Sequence, residues 1–282
     1  MVEAQLWSMA RSVVYVLEAF VLLWVAKAAY TRIYRRIDLR RELWERGNTA
    51  AATALGGYLL GIVIALGGAL SGPTLGWRQD LIEIALYGLM SIAMMLVASF
   101  VCEKVLLPRF DNTKEVVEDQ NLGTAFVEAG VHLANGLIVL AIQQGAGPWW
   151  VGLVFWALAQ VVLVVAGLLY QVATPHGIHK ELERDNAAVG LAFAGVLVGM
   201  GNIISLAVAG DFLSWKADLA TFAIDAVFGF AVLYVIKKLS DWILAPSVRL
   251  SDQQTGDTPR IGAGLIEAVG YVGGSMLVVW VF

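Results

Sequence analysis

Residues 121–136 read NLGTAFVEAGVHLANG and place a carboxylate, an imidazole and an amide at Glu128, His132 and Asn135. The spacings are i, i+4 and i+7, which put all three on one face of a helix. Such a trio can bind a small cation, pass a proton, or simply hydrogen-bond to neighbouring helices. The surroundings are apolar: 59% of the 282 residues are hydrophobic and the mean hydropathy is +0.73. Only 15% are charged, against about 25% in a soluble domain. The chain therefore reads as an integral membrane protein, in which a polar stripe must face other helices or water instead of lipid.

Other acids share the apolar stretches. Glu267 lies in GLIEAVG, and Glu18 and Asp225 fall in the opposite half of the membrane. A carboxylate at mid-bilayer costs at least about 2.5–3.5 kcal/mol. Two readings stay open: acids hydrogen-bonded between helices as structural groups, or acids lining a water-accessible path for a cation or proton. His132 reads more readily as a hydrogen-bonded core histidine than as a ligand. The lone cysteine, Cys102, permits no intrachain disulfide and no cysteine metal cluster. No metal or other cofactor is expected. Zinc-protease, nucleophile-elbow and phosphate-loop motifs are absent, so an enzyme is not expected either.

The elements that must position these groups are membrane helices. A bilayer core takes about 20 apolar residues. Eight such stretches run near 8–30, 48–70, 81–106, 121–143, 149–171, 187–209, 219–244 and 261–281. Fifteen of the nineteen Lys and Arg residues fall in the long connections, six of them between 32 and 46. The short connections are rich in Gly and Trp. The positive-inside rule then puts the long loops in the cytoplasm and both termini outside it, with Trp7, Trp77, Trp149, Trp150 and Trp215 at the outer edge. Segment 32–46 is the strongest surface feature, a topology signal that a cytosolic protein or anionic lipid headgroups can also use. No nucleic-acid partner is expected, and the oligomeric state, homo-oligomer included, is open.

The chain is internally duplicated. ERGNTAAATALGGYLLG (45–61) aligns without gaps to ERDNAAVGLAFAGVLVG (183–199) at an offset of 138, with 8 of 17 positions identical. An offset of 139 pairs Glu128 with Glu267 and His132 with Tyr271, which excludes a symmetric metal pair. Two repeats follow, 1–144 and 145–282, each of four spans. An even span count keeps them parallel, related by an axis along the membrane normal. About that axis Glu128 and Glu267 are expected to face each other in one inter-repeat site. A fainter echo at 73 residues, Asn48-x8-Gly57 against Asn121-x8-Gly130, hints at a two-helix unit.

These motifs resemble those of the YjfL-like inner-membrane proteins of bacteria, a family of unknown function. An acidic or polar lead-in precedes an Asn and a small-residue helix in ERGNTAAATALGGYLLG, EDQNLGTAFVEAG and ERDNAAVGLAFAG. The fourth copy, GDTPRIGAGLIEAVG, has Arg260 where the Asn would fall. The resemblance implies four spans per unit and a bacterial inner membrane, and it brings no activity.

The expected architecture is all-α, eight transmembrane helices in two parallel four-helix repeats. Gly57, Gly61, Gly195, Gly199, Gly270 and Gly274 are expected to let helices pack closely in the lipid bilayer. Asn48, Asn121 and Asn186 are either helix N-caps or a ring of amides at a cytosolic entrance. The expected function is a channel or transporter for a small cation or proton-coupled solute, through Glu128, Glu267, His132, Asn135, Asp225 and Glu18. The alternative is a non-transporting membrane scaffold or a stress-response partner of cytosolic proteins.

Overall fold

The computed structural model describes the backbone of residues 2–34, 38–72, 74–108 and 111–282, and side chains from residue 5 onward. Arg35, Arg36 and Arg109, counted above among the basic loops, lie outside the described residues. Every regular element among the described residues is helical. Eight helices are long and apolar enough to cross a membrane. They are α1 (Val2–Ile33), α2 (Thr49–Leu70), α3 (Trp77–Val101), α5 (Leu122–Gln144), α6 (Trp149–Ala173), α8 (Ala187–Val208), α9 (Trp215–Ile243) and α11 (Ile261–Val281). Three short helices, α4 (Asn112–Val117), α7 (Ile178–Leu182) and α10 (Leu250–Thr255), precede α5, α8 and α11. A π-helical turn, Arg41–Glu45, takes the corresponding place ahead of α2, and α3 itself runs into a second one, Cys102–Leu106. The short elements have too few residues to show apolar periodicity, and the sequence pattern passes over them.

Helices α3 and α9 start four residues before the apolar runs that announce them. An aspartate in the first turn explains both starts. Asp80 accepts from Leu75 N–H at 2.9 Å and from the Tyr15 hydroxyl. Asp218, its counterpart, accepts from Leu213 and Ser214 N–H at 3.0 Å each. The carboxylates take up backbone donors that a helix start leaves open, so the helices reach back to Trp77 and Trp215.

Helices α2, α5, α8 and α11 form a row in that order, each in extended contact with the next. Small residues allow it. An added Cβ at Gly57 would strike the Ala129 backbone; at Gly61, the His132 carbonyl; at Gly195, the Ala268 backbone. Gly270 and Gly274 also face neighbouring side-chain atoms at separations too short for a Cβ, and a Cβ on Gly199 would sit tightly against the Tyr271 carbonyl. The other four spans pack onto this row. Helix α1 lies on α2 and α3, α3 between α2 and α5, α6 between α5 and α8, and α9 between α8 and α11.

The repeat relation therefore carries α2 to α8 and α5 to α11, a displacement of two places along one row. The two halves are successive, not face to face. Glu128 on α5 and Glu267 on α11 stand on either side of α8, and the expected shared site across a twofold axis does not form. A heterologous, head-to-tail contact between the halves is the reason.

Candidate functional site

The three asparagines hold the row at its basic end. Asn48 Oδ1 accepts from Ala51 N–H and Asn121 Oδ1 from Thr124 N–H, each at 2.9 Å. Asn186 Oδ1 accepts from Ala188 and Val189 N–H. Each Nδ2 then donates in two directions. One bond goes to an acid of its own hairpin: Glu42, Glu115 or Glu181. The other goes to a carbonyl of the next hairpin: Val116, Leu182 or Gln254. Both ends of every amide are thus used in capping and docking, and all three side chains are buried. They do not form an open ring at a pathway mouth. Arg260 stands at the corresponding N-cap of α11 and makes no side-chain cap hydrogen bond. Burial holds the Glu115 carboxyl above its usual range, with the Asn121 bond acting the other way.

Glu128 and His132 look toward α3, where Tyr87, Ser91, Met95 and Ser99 recur at every fourth position, a stripe that winds slowly around the helix, with Glu103 following on the π-helical turn. Two hydrogen-bonded rungs cross the α3–α5 seam. Ser99 Oγ meets His132 Nε2 at 3.1 Å, and Gln143 Nε2 donates to Ser91 Oγ at 2.8 Å. Ser99 Oγ also reaches the Met95 carbonyl at 3.1 Å, and His132 Nδ1 lacks a partner. Tyr58 packs edge-on against the imidazole with centroids 5.2 Å apart. Met95, fully buried, separates the rungs.

Both ends of the seam are polar. At the basic end stand Glu128 and Glu103, with Tyr30, Tyr34 and Cys102 near the Glu128 carboxylate. At the tryptophan end Tyr87 and Gln143 border a cavity of about 270 Å³ that Asp211 and Asp218 also line. A second cavity, about 140 Å³, adds Tyr15, Asp80 and Glu83.

The second half carries the same framework with different chemistry. At the 138-residue offset Tyr87, Ser91, Met95, Ser99 and Glu103 become Asp225, Gly229, Leu233, Lys237 and Asp241. Lys237 Nζ lies 3.1 Å from Glu267 Oε1 and 2.8 Å from Asp241 Oδ1. Glu267 also accepts from Tyr170 at 3.1 Å and Gln254 at 2.7 Å. At 2% exposure this carboxylate has every oxygen occupied, as a buried ion pair requires.

Of the remaining expected residues, Asn135 turns away from the seam. Its Oδ1 accepts from Trp156 Nε1 at 3.0 Å and Gln160 Nε2 at 2.7 Å, which ties α5 to α6 and one repeat to the next. Glu18 on α1 is half-buried with Oε2 unpartnered, and Asp225 is half-buried on α9. The sequence reading passed over Ser91, Ser99, Gln143, Lys237 and Asp241. The four-residue spacing on α3 and the 138-residue offset, applied to these positions, would have found all but Gln143, which lies on α5.

A family model described as Domain of Unknown Function (DUF350) matches the chain twice, over residues 3–142 and 146–282. A UPF0719 transmembrane protein of Aquifex aeolicus (strain VF5) is 27% identical over 142 residues, covering 50% of this chain and 52% of that protein. The chain thus spans about half the length of the curated relative that it matches. No solved structure matches. With eight membrane-length helices and two copies of the domain, the chain is an integral membrane protein that belongs to the DUF350 family.

Proposed function

We propose that the protein is a conduit for protons or small monovalent cations, running along the α3–α5 seam of the first half. The observation that carries this is the pair of rungs, Ser99–His132 and Ser91–Gln143, set between acids at one end and polar cavities at the other. Met95 is the apolar constriction between them, of the kind that gates by excluding water. The row α2–α5–α8–α11 is packed to backbone contact and leaves its own interior no room for a path. The second half, with Lys237 clamped between two carboxylates, serves as the fixed partner. On this reading the protein is not an enzyme. It sits in a bacterial inner membrane with the basic loops in the cytoplasm, where segment 32–46 meets anionic lipid or a cytosolic protein.

The scaffold reading draws on the same dense row and on the fully paired Glu267. Flux separates the two. Purified protein in vesicles carrying a pH-sensitive interior dye should dissipate an imposed proton or sodium gradient. His132→Ala and Gln143→Ala should lose most of that flux, and Met95→Ala should raise it. Vesicles that hold their gradients with the native protein and all three variants would favour the scaffold.

A further inference from the structure

We propose that copies of this chain assemble head to tail in the membrane, with α11 of one copy packed on α2 of the next as α5 packs on α8 within the chain. The inference is independent of the conduit reading and concerns the two ends of the row.

The row is built by a repeated step. Gly57 and Gly61 of α2 meet Ala129 and the His132 carbonyl of α5. Gly195 and Gly199 of α8 meet Ala268 and the Tyr271 carbonyl of α11, the same residues at the repeat offsets. The α2–α5 and α8–α11 interfaces are therefore copies of one another. The α5–α8 interface joins one half to the other and uses the second face of each helix. A Cβ on Gly190 would stand 2.5 Å from the Gly123 Cα, one on Gly130 2.7 Å from the Ala194 Cα, and one on Gly201 2.6 Å from the Ala134 Cα. All six of these residues are buried.

The equivalent faces at the ends of the row stand open. On α2 they are Ala52, Gly56 and Val63, all exposed, and on α11 they are Gly262, Val269 and Gly273. A Cβ on Gly56, Gly262 or Gly273 would meet no atom within 4 Å. Joined as α5 joins α8, Gly262 meets Ala52, Val269 meets Gly56 and Gly273 meets Val63. Each pair sets a glycine against a larger residue, and the bulk falls on α11 in one pair and on α2 in the other two, so the faces interlock. A valine stands in two pairs where the inner interface has an alanine, so this seam is slightly wider than the inner one. Glycine weakens a helix unless a neighbouring helix uses the space it leaves.

Helix α1 shows the same vacancy. Its counterpart α6 lies between α5 and α8, where Trp156 and Gln160 reach Asn135. An offset of 140 pairs Tyr30 with Tyr170 and Ala26 with Ala166, and it puts Val16 and Phe20 in the places of Trp156 and Gln160. Val16 and Phe20 are 52% and 66% exposed, against 9% and 8% for their counterparts. The α11 of a neighbouring copy would cover them as α5 covers Trp156 and Gln160. Both halves cross the membrane in the same sense, so the step adds copies in one orientation. It joins unlike faces and therefore continues as a ring or a chain of copies.

The test is disulfide trapping of the full chain in isolated membranes, in a Cys102→Ala background with copper phenanthroline as oxidant. A chain carrying both Ala52→Cys and Gly262→Cys should form a ladder of dimer, trimer and larger species on a non-reducing gel. A chain carrying Gly56→Cys and Val269→Cys should do the same. Helices α5 and α8 separate the two positions within one chain, so the bond must join two copies. Each of the four single cysteines should stay monomeric, because the interface pairs unlike faces. Ala52→Cys combined with Val172→Cys, exposed near the same end on α6, should stay monomeric too. Added to the Ala52→Cys, Gly262→Cys chain, Gly56→Trp should remove the ladder, and Leu86→Trp, exposed on α3, should leave it. Silence from both pairs, or a ladder that survives Gly56→Trp, would overturn the assembly. Single cysteines that dimerise as readily as the pairs would replace it with a symmetric contact, and an equal ladder from the Val172→Cys control would reduce it to random collision.

Discussion

Each of Asn48, Asn121 and Asn186 caps its own helix and docks the next hairpin, so one substitution removes two kinds of contact. Asn121→Ala is expected to cost about 1 kcal/mol for the cap and about 1–3 kcal/mol for the Glu115 and Leu182 partners left in a buried place. Thermal unfolding in detergent measures the sum. Arg260→Asn is the contrasting change. It restores a side-chain cap that α11 lacks, so the gain should be near 1 kcal/mol. His176, in the loop after α6, gives a pH signature. Burial pushes its imidazole below the ordinary value of 6.5, while Glu181 and Glu267 pull it up and Lys237 pushes it down. A lowered pKa means that the folded state prefers the neutral ring. Its contribution is complete above the ordinary value and is lost as pH falls through the lowered one. Unfolding followed between pH 7.5 and about 5 should therefore show stability declining with acid, with a shallower decline in His176→Gln. An equal slope in both would remove His176 as a source.

Among the elements, the glycines divide by what they face. Gly57 meets backbone and Gly273 meets open space, although both lie inside a helix. Gly57→Ala should destabilise by about 1–3 kcal/mol, since helix must move against helix. Gly273→Ala should stabilise by roughly 0.5–1 kcal/mol, because only the backbone entropy changes. Equal effects at the two positions would contradict the packing of the row. The spans themselves were legible in the sequence, because twenty apolar residues leave a chain few alternatives. The order of the row was not, since helical periodicity shows that a face is small without naming its partner. The same gap explains the acids. Glu128 and Glu267 announced themselves as repeat equivalents, but equivalence says nothing about the relation between the halves. A displacement along a row separates them where a closed twofold pair would join them. The stripe Glu128–His132–Asn135 was likewise visible, yet it divides: two residues serve the seam with α3, and the third, Asn135, is taken by Trp156 and Gln160.

At the scale of the molecule, every basic-end element faces the same way. The short helices α4, α7 and α10 and the three asparagine bridges gather at one end of the row, the end that also carries most of the lysine and arginine. The other end holds the tight turns, braced by Asp211 accepting from Ala146 N–H at 2.7 Å and by Phe212 N–H donating to the Ala146 carbonyl. A charge asymmetry this large selects one orientation during insertion, and neither end can invert alone without pulling a hairpin out of the row. The basic end is therefore expected in the cytoplasm and both termini outside it. Single cysteines in a Cys102→Ala background test this in intact cells with a membrane-impermeant maleimide. Ala146→Cys, at an exposed turn, should label from outside. Asp38→Cys, exposed at the basic end, should label only after the membrane is opened. Labelling of Asp38→Cys in sealed cells with protection of Ala146→Cys would reverse the orientation. It would also move the acid end of the α3–α5 seam to the outer face of the membrane.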